Sequence, residues 1–231
     1  MKDFVESLRR CAQSGRVPVI PDFKILSPSD GPLFQGRDVI ADARAMEKAG
    51  ASALSVVTEP KQFGGSLELM EQITKAVRIP VLRKDFVQST SDLEETVRCG
   101  AKAVLLICAC MTQDTLKELF FASLELGLEP LVEAHSKEEL QLAASLGAKL
   151  VGINNRDILT LERDGGAVST TARLASAKPI GSFLISESGI QSADDVRIAL
   201  QSGADAVLVG TAIWKAEDPF RFYETLCSAR R

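Results

Sequence analysis

Short apolar runs alternate with longer segments of three- and four-residue apolar periodicity along the chain. The runs include Val19-Ile20, Ile79 to Leu82, Leu131-Val132, Leu150 to Ile153 and Phe183 to Ile185, each short enough and apolar enough for a buried strand. Residues 37 to 49, 66 to 77, 90 to 99, 113 to 126, 136 to 146, 166 to 176, 191 to 202 and 218 to 229 carry the helical period. A helix ending in Gly-Ala runs straight into an apolar stretch four times: KAGASALSVV around Gly50, RCGAKAVLLI around Gly100, SLGAKLVGI around Gly147 and QSGADAVLVG around Gly203. Glycine there suits the left-handed residue that ends a helix. Between these copies, strands begin differently, often at a proline: VPVIPDFK from Val17, IPVLRKDF from Ile79, LEPLVEA from Leu128 and KPIGSFLIS from Lys178.

The two sets make eight strands, each followed by a helix. Eight such units without a linker predict α/β architecture as a single (β/α)8 barrel over residues 17–231, with residues 1–16 forming a short helix that caps it. An open doubly wound sheet would want a glycine-rich phosphate turn after its first strand, and SPSDG from Ser27 is not one.

Polar side chains collect at the downstream ends of these strands: Asp22 and Lys24, Lys84, Glu133, Asn154 and Glu187. Alternate side chains of a barrel strand point inward, so parity aims all of them at the C-terminal mouth, where this fold builds active sites. Two lysines and three carboxylates in one cup can separate acid and base roles at neutral pH. A network of rim salt bridges is the plainer reading of any one member; five strand ends together favour catalysis.

Two glycines add a second signal. SESGI places Gly189 just after the seventh strand, and LVGTAIW places Gly210 and Thr211 just after the eighth, where barrels commonly hold a phosphate. Ser27 or Ser29 could add a hydroxyl. Phe63 and Phe86 offer apolar walls or are simply core. Arg83 has the parity that faces away from the mouth. His135 reads as a loop or helix-cap residue more readily than as a catalyst, and Trp214 and Tyr223 read as packing.

Composition narrows the partners. Lysine plus arginine number 27 against 31 acidic residues, a net charge of -4; the two signs are interspersed, which leaves no footprint for nucleic acid or anionic lipid. Five cysteines, an odd and scattered set, argue against a disulfide framework. Cys108 and Cys110 have no matching Cys/His pair, so they read as packing thiols and not as a zinc site. MKDFVESLRR lacks an apolar signal core, and no apolar stretch approaches the roughly 20 residues of a membrane span. The expectation is a soluble cytoplasmic protein, a monomer or weak homo-oligomer, acting on a small phosphorylated substrate.

At these residues the chain resembles the indole-3-glycerol phosphate synthase family of tryptophan biosynthesis. The matching phrases are SPS at Ser27, TEPKQFGGS at Thr58, KDF at Lys84, VLLI at Val104, EPLVE at Glu129, GINNRDIL at Gly152, ESGI at Glu187 and VGTA at Val209. The resemblance implies ring closure of 1-(2-carboxyphenylamino)-1-deoxyribulose 5-phosphate to indole-3-glycerol phosphate, with loss of carbon dioxide and water, and implies no metal or organic cofactor.

By position it makes Lys84 the general acid at the substrate carbonyl, and Glu133 the base or the stabiliser of the developing cationic nitrogen. Lys24 would hold the substrate carboxylate and assist dehydration with Asp22 as its acidic partner, while Asn154 and Glu187 orient hydroxyls and the lysines. Ser188 would line the sugar side; Arg156, Phe86 and Leu105 would border the aromatic ring; Ser27, Gly189, Gly210 and Thr211 would take the phosphate. Three departures stand against this pattern: Asp22 where the family carries glutamate, Ile25 where it usually has a basic residue, and a short lead into the first strand. They keep open a related phosphate-binding barrel enzyme with a different phosphorylated substrate, and a catalytically silent metabolite-binding barrel.

Overall fold

The computed structural model describes residues 3–156 and 168–229. The last part of the GINNRDIL phrase and the first two residues of the helix expected from 166 lie outside the described residues. Eight parallel strands close into a barrel: β1 (Val19–Phe23), β4 (Leu54–Val57), β5 (Val81–Lys84), β6 (Ala103–Ile107), β7 (Glu129–Ala134), β8 (Leu150–Asn154), β9 (Phe183–Glu187) and β10 (Ala206–Val209). β10 pairs back to β1, and β1 to β4. The remaining two strands, β2 (Leu26–Ser27) and β3 (Gly31–Pro32), form a small antiparallel hairpin in the loop after β1, an element the apolar pattern does not announce because two residues carry no period.

The helices fall where the period places them. They include α2 (Val39–Lys48), α5 (Thr90–Arg98), α6 (Gln113–Glu125), α7 (Lys137–Ser145) and α9 (Ala193–Gln201). Serine N-caps recur: Ser89, Ser136 and Ser192 each accept a backbone N–H of the first turn of α5, α7 and α9, satisfying one of the donors a helix start leaves open. Gly50, Gly100, Gly147 and Gly203 all have positive φ, from 73° to 108°, so the repeated Gly-Ala phrase is the helix-to-strand turn. One boundary moves. The seventh predicted strand begins at Phe183 and not at Lys178, because Lys178 to Ser182 form a turn closed by Ser182 N–H to the Pro179 carbonyl.

Two apolar layers result. One lies between sheet and helices. The other fills the barrel with Ile20, Leu82, Leu105, Leu131, Leu150, Ile185 and Leu208, and includes Phe4 and Leu8 of α1 (Phe4–Gln13). These barrel residues lie two positions before the polar tips or share their parity, so each strand is apolar below and polar above. Helix α1 plugs the lower end. The Glu129 carboxylate at the base of β7 accepts the N–H groups of Phe4 and Val5 and so anchors the helix start.

Candidate active site

Register brings the polar tips together around the mouth. Glu133 lies opposite Gly152, Asn154 opposite Glu187, and Glu187 opposite Leu208. Asp22, Lys24, Glu133, Asn154 and Glu187 are all buried, Glu133 and Glu187 completely. A cavity of about 520 Å³ opens here, lined by Asp22, Lys24, Lys84 and Arg156 on one side and by Ser188, Gly189, Gly210 and Thr211 on the other. Beside it a narrow pocket of about 20 Å³ is walled by Phe63, Phe86, Leu105 and Ile107, with Glu133 and Asn154 at its polar end. Lys84 and Arg156 line both. A polar chamber and an apolar slot therefore meet at Lys84 and Arg156.

Glu133 and Glu187 set the electrostatics. Neither carboxylate accepts a hydrogen bond from the described residues, an arrangement costly for a charged group. Burial pushes the Glu187 carboxyl well above the ordinary range; the charge of Glu133 adds to this, Lys84 opposes it, and Asp22 contributes further upward. A carboxyl held protonated by burial beside a second buried carboxyl is a pair able to hold and release a proton.

Local chemistry fixes the other members. Asp22 Oδ1 accepts the Ser55 hydroxyl at 2.6 Å, and the indole N–H of Trp214, on α10 (Thr211–Lys215), donates to the Asp22 carbonyl at 2.7 Å. Trp214 packs on Phe23 and Phe34, with centroids 4.7 and 4.5 Å away. Trp214 is packing, as its apolar ring suggests, and it also ties the end of β1 to the turn after β10. Lys24 Nζ stands 5.7 Å above the Phe63 ring, within cation–π reach. The Phe63 loop is organised by Glu59, which accepts the N–H groups of Lys61, Gln62 and Phe63.

Ser27 does not join the cavity. It is 1% exposed, and its hydroxyl donates to Asp30 Oδ2 at 3.1 Å. Asp30 and Lys215, paired with each other, do line the chamber. The Lys215 ammonium, with the Ser29 hydroxyl helping, holds the Asp30 carboxyl down at about 2.

Three further residues position the site, Asn155 and Asp85 inside the GINNRDIL and KDF phrases and Arg83 beside the latter, although the sequence alone assigns them no role there. Asn155 donates through Nδ2 to Ser186 Oγ and to the carbonyls of Glu187 and Ser188, at 2.9 to 3.0 Å, and accepts from Thr171. It holds the β9 end, where Ser188 adopts φ 64°, unusual for a residue with a side chain. Asp85 accepts Thr58 Oγ1 at 2.5 Å and Arg83 at 2.9 Å. Arg83 faces away from the mouth, as parity requires, yet is 4% exposed and also bonds the Asp92 carbonyl and Thr96, locking β5 against α5. Their partners are distant in sequence, so only knowledge of the fold exposes the role. Among the described residues, no group of three or more His, Cys, Asp and Glu is arranged to hold a metal ion.

Comparison with known proteins agrees with this geometry. The family model described as indole-3-glycerol phosphate synthase matches residues 1–226. An indole-3-glycerol phosphate synthase from Pyrococcus abyssi is 41% identical over 223 residues, covering 96% of this chain and 95% of that protein. One from Pyrococcus furiosus is 44% identical over 212 residues, covering 91% and 92%. Among solved structures, a thiamine phosphate pyrophosphorylase from Pyrococcus furiosus superposes with a TM-score of 0.67 at 17% identity, over 92% of this chain and 95% of that one, a likeness of fold alone.

Proposed function

The chain belongs to the indole-3-glycerol phosphate synthase family, and from that premise we propose how its residues divide the work. The enzyme is a carboxy-lyase of tryptophan biosynthesis: it closes the ring of 1-(2-carboxyphenylamino)-1-deoxyribulose 5-phosphate and releases carbon dioxide and water. The observation that carries the assignment of roles is the meeting of a polar chamber and an apolar slot at Lys84. A substrate with a phosphorylated sugar chain at one end and an aromatic ring at the other has that polarity.

In this reading the phosphate sits by Gly189, Gly210 and Thr211, and the aromatic ring enters between Phe63, Phe86 and Leu105, parting the two phenylalanines as it does so. Ser27 acts one step back, by holding Asp30 and the hairpin. Lys84 then lies at the ring-closing carbonyl and protonates its oxygen as the aromatic carbon attacks. Lys24, with Asp22 behind it, holds the carboxylate that leaves as carbon dioxide and protonates the departing hydroxyl. Glu133 accepts the proton lost from the methylene carbon, while Glu187, held protonated by burial, and Asn154 orient hydroxyls. Fixed donors in a closed, low-dielectric cup act where charge develops and need not reorganise.

A cytoplasmic location belongs to the same proposal, supported by five free cysteines and by the absence, among the described residues, of a helix long and apolar enough to cross a membrane. The direct test is to incubate the purified protein with the carboxyphenylamino-deoxyribulose phosphate and follow indole fluorescence. Product from the wild type and none from Lys84→Ala is the expected outcome. A folded wild type that forms no product would overturn the reading.

A further inference from the structure

The single histidine of the chain, His135, stands between two carboxylates. Its Nε2 is 3.5 Å from Glu133 Oε1 and its Nδ1 is 3.7 Å from Glu139 Oε2, on α7. Side-chain exposure rises along this row, from 0% at Glu133 to 18% at His135 and 23% at Glu139. The row thus leads from the floor of the cup to its rim. Glu139 is held in place by the His135 backbone N–H, which donates to the same Oε2 at 2.5 Å. Opposite ring nitrogens lie within ion-pair distance of two carboxylates, and a shortening of a few tenths of an ångström makes each a hydrogen bond; imidazole can then accept a proton on one nitrogen while releasing one from the other.

The chemistry assigned above gives such a route a task. The substrate carboxylate leaves as carbon dioxide and its electron pair stays in the ring system, while the ketone oxygen leaves as water carrying two protons. Both are delivered by ammonium groups that recharge from solvent. One proton is taken from the methylene carbon by Glu133, so the net uptake is one proton per turnover and Glu133 must lose a proton each cycle. We propose that His135 and Glu139 carry that proton from Glu133 to solvent, His135 serving as a relay and positioning residue that does not touch the substrate. The proposal rests on the functional reading above.

The remaining titratable neighbours leave the route to these three groups. Cys108 and Cys110 lie in the turn after β6. Burial pushes the Cys108 thiol up to about 12, with the charges of Glu139 and Glu133 adding, and raises Cys110 with help from the same carboxylates, so both stay protonated. Glu139, whose partial burial is outweighed by the hydrogen bonds from His135, lies below the ordinary carboxylate range and stays an ionised acceptor. Deeper in the cup, Glu187 feels the charges of Glu133, Lys84 and Asp22; Lys84 and Asp22 face the chamber where the substrate sits, so with substrate bound the His135 side is the outward route from Glu133.

The test combines kinetics with the titration of the lone histidine, whose NMR signals need no assignment. In His135→Gln, kcat falls about tenfold or more, KM stays within roughly twofold, and the limb of the kcat–pH profile that tracks the histidine titration measured by NMR is lost. Glu139→Gln lowers kcat in the same direction. Independently of activity, the histidine titration moves to lower pH in both Glu133→Gln and Glu139→Gln, since each removes a negative charge beside one ring nitrogen. An active His135→Gln enzyme with the wild-type kcat and pH profile, or a histidine titration that neither glutamine variant moves, overturns the relay. If His135→Gln does not fold, Glu139→Gln and the titration decide. A wild type inert toward the substrate overturns the functional reading, whereas an active wild type with these variants silent overturns only the relay.

Discussion

A Cβ built on Gly152 would lie 2.0 Å from Oε1 of Glu187. The buried carboxylate therefore occupies the space that any other residue at 152 would fill. Gly152 sits on β8 directly opposite Glu133, so one missing side chain makes room for the second acid beside the first. Glycine weakens a strand interior by giving it nothing to pack, and here that weakness serves the site.

Gly152→Ala displaces Glu187 and lowers kcat by about tenfold to a hundredfold, while overpacking costs about 1–3 kcal/mol of stability. Steady-state kinetics beside chemical denaturation checks both; an alanine variant with wild-type kcat would show that the Glu187 position is immaterial.

Glu187 also makes stability depend on pH with a definite sign. Its carboxyl is raised in the folded protein and ordinary, about 4.3, in the unfolded chain. Between those two values the folded state binds more protons, so stability falls as pH rises from about 4.3 through the folded value, and the loss is complete above it. Denaturant midpoints measured across that range should show Glu187→Gln gaining stability relative to wild type as pH rises, at the expense of activity. A constant difference at all pH values would contradict the burial of an ionisable group here.

Asp22 bonds Ser55 at 2.6 Å and packs against the Gly210 turn, where a Cβ would meet Asp22 atoms at 3.2 to 3.3 Å. The pocket is built around the shorter acid. Asp22→Glu is accordingly expected to lower kcat, by about tenfold to a hundredfold on the scale of a 1 Å displacement. A rise in turnover would mean instead that the missing methylene is a defect.

Asn155→Ala removes the bonds that hold the β9 turn and leaves buried carbonyls unmatched, a loss of about 1–3 kcal/mol. Because Ser188 and Gly189 line the proposed phosphate side, KM rises more than kcat falls. Equal effects on both would place the role of Asn155 elsewhere.

Much of this was legible from residue order alone. Period-two parity placed Lys84, Glu133, Asn154 and Glu187 on one mouth, and turned Arg83 away from it, because strand alternation is a local rule that a barrel leaves intact. The Gly-Ala turns were legible for the same reason. What stayed hidden depended on pairs far apart in the chain: Asn155 with Ser188, Asp85 with Thr58, Trp214 with Asp22. His135, expected as a loop or helix-cap residue, lies one place before the cap Ser136, and that expectation could not reveal a ring set between two carboxylates. Ser27 matched a family phrase, yet its hydroxyl donates to Asp30, and it is Asp30 that lines the chamber, a pairing the phrase could not show. Strand onset at Phe183 was missed because proline and glycine at 179 and 181 mark a turn as readily as a strand start.

The claim that one substrate bridges the polar chamber and the apolar slot across Lys84 is tested most directly by a crystal structure of Lys84→Ala holding the uncyclised substrate. The phosphate should lie on the Gly189 and Gly210 turns, with the aromatic ring between Phe63 and Phe86 and the ketone facing position 84. A substrate confined to the polar chamber, its ring turned away from Phe86 and Glu133, would contradict it.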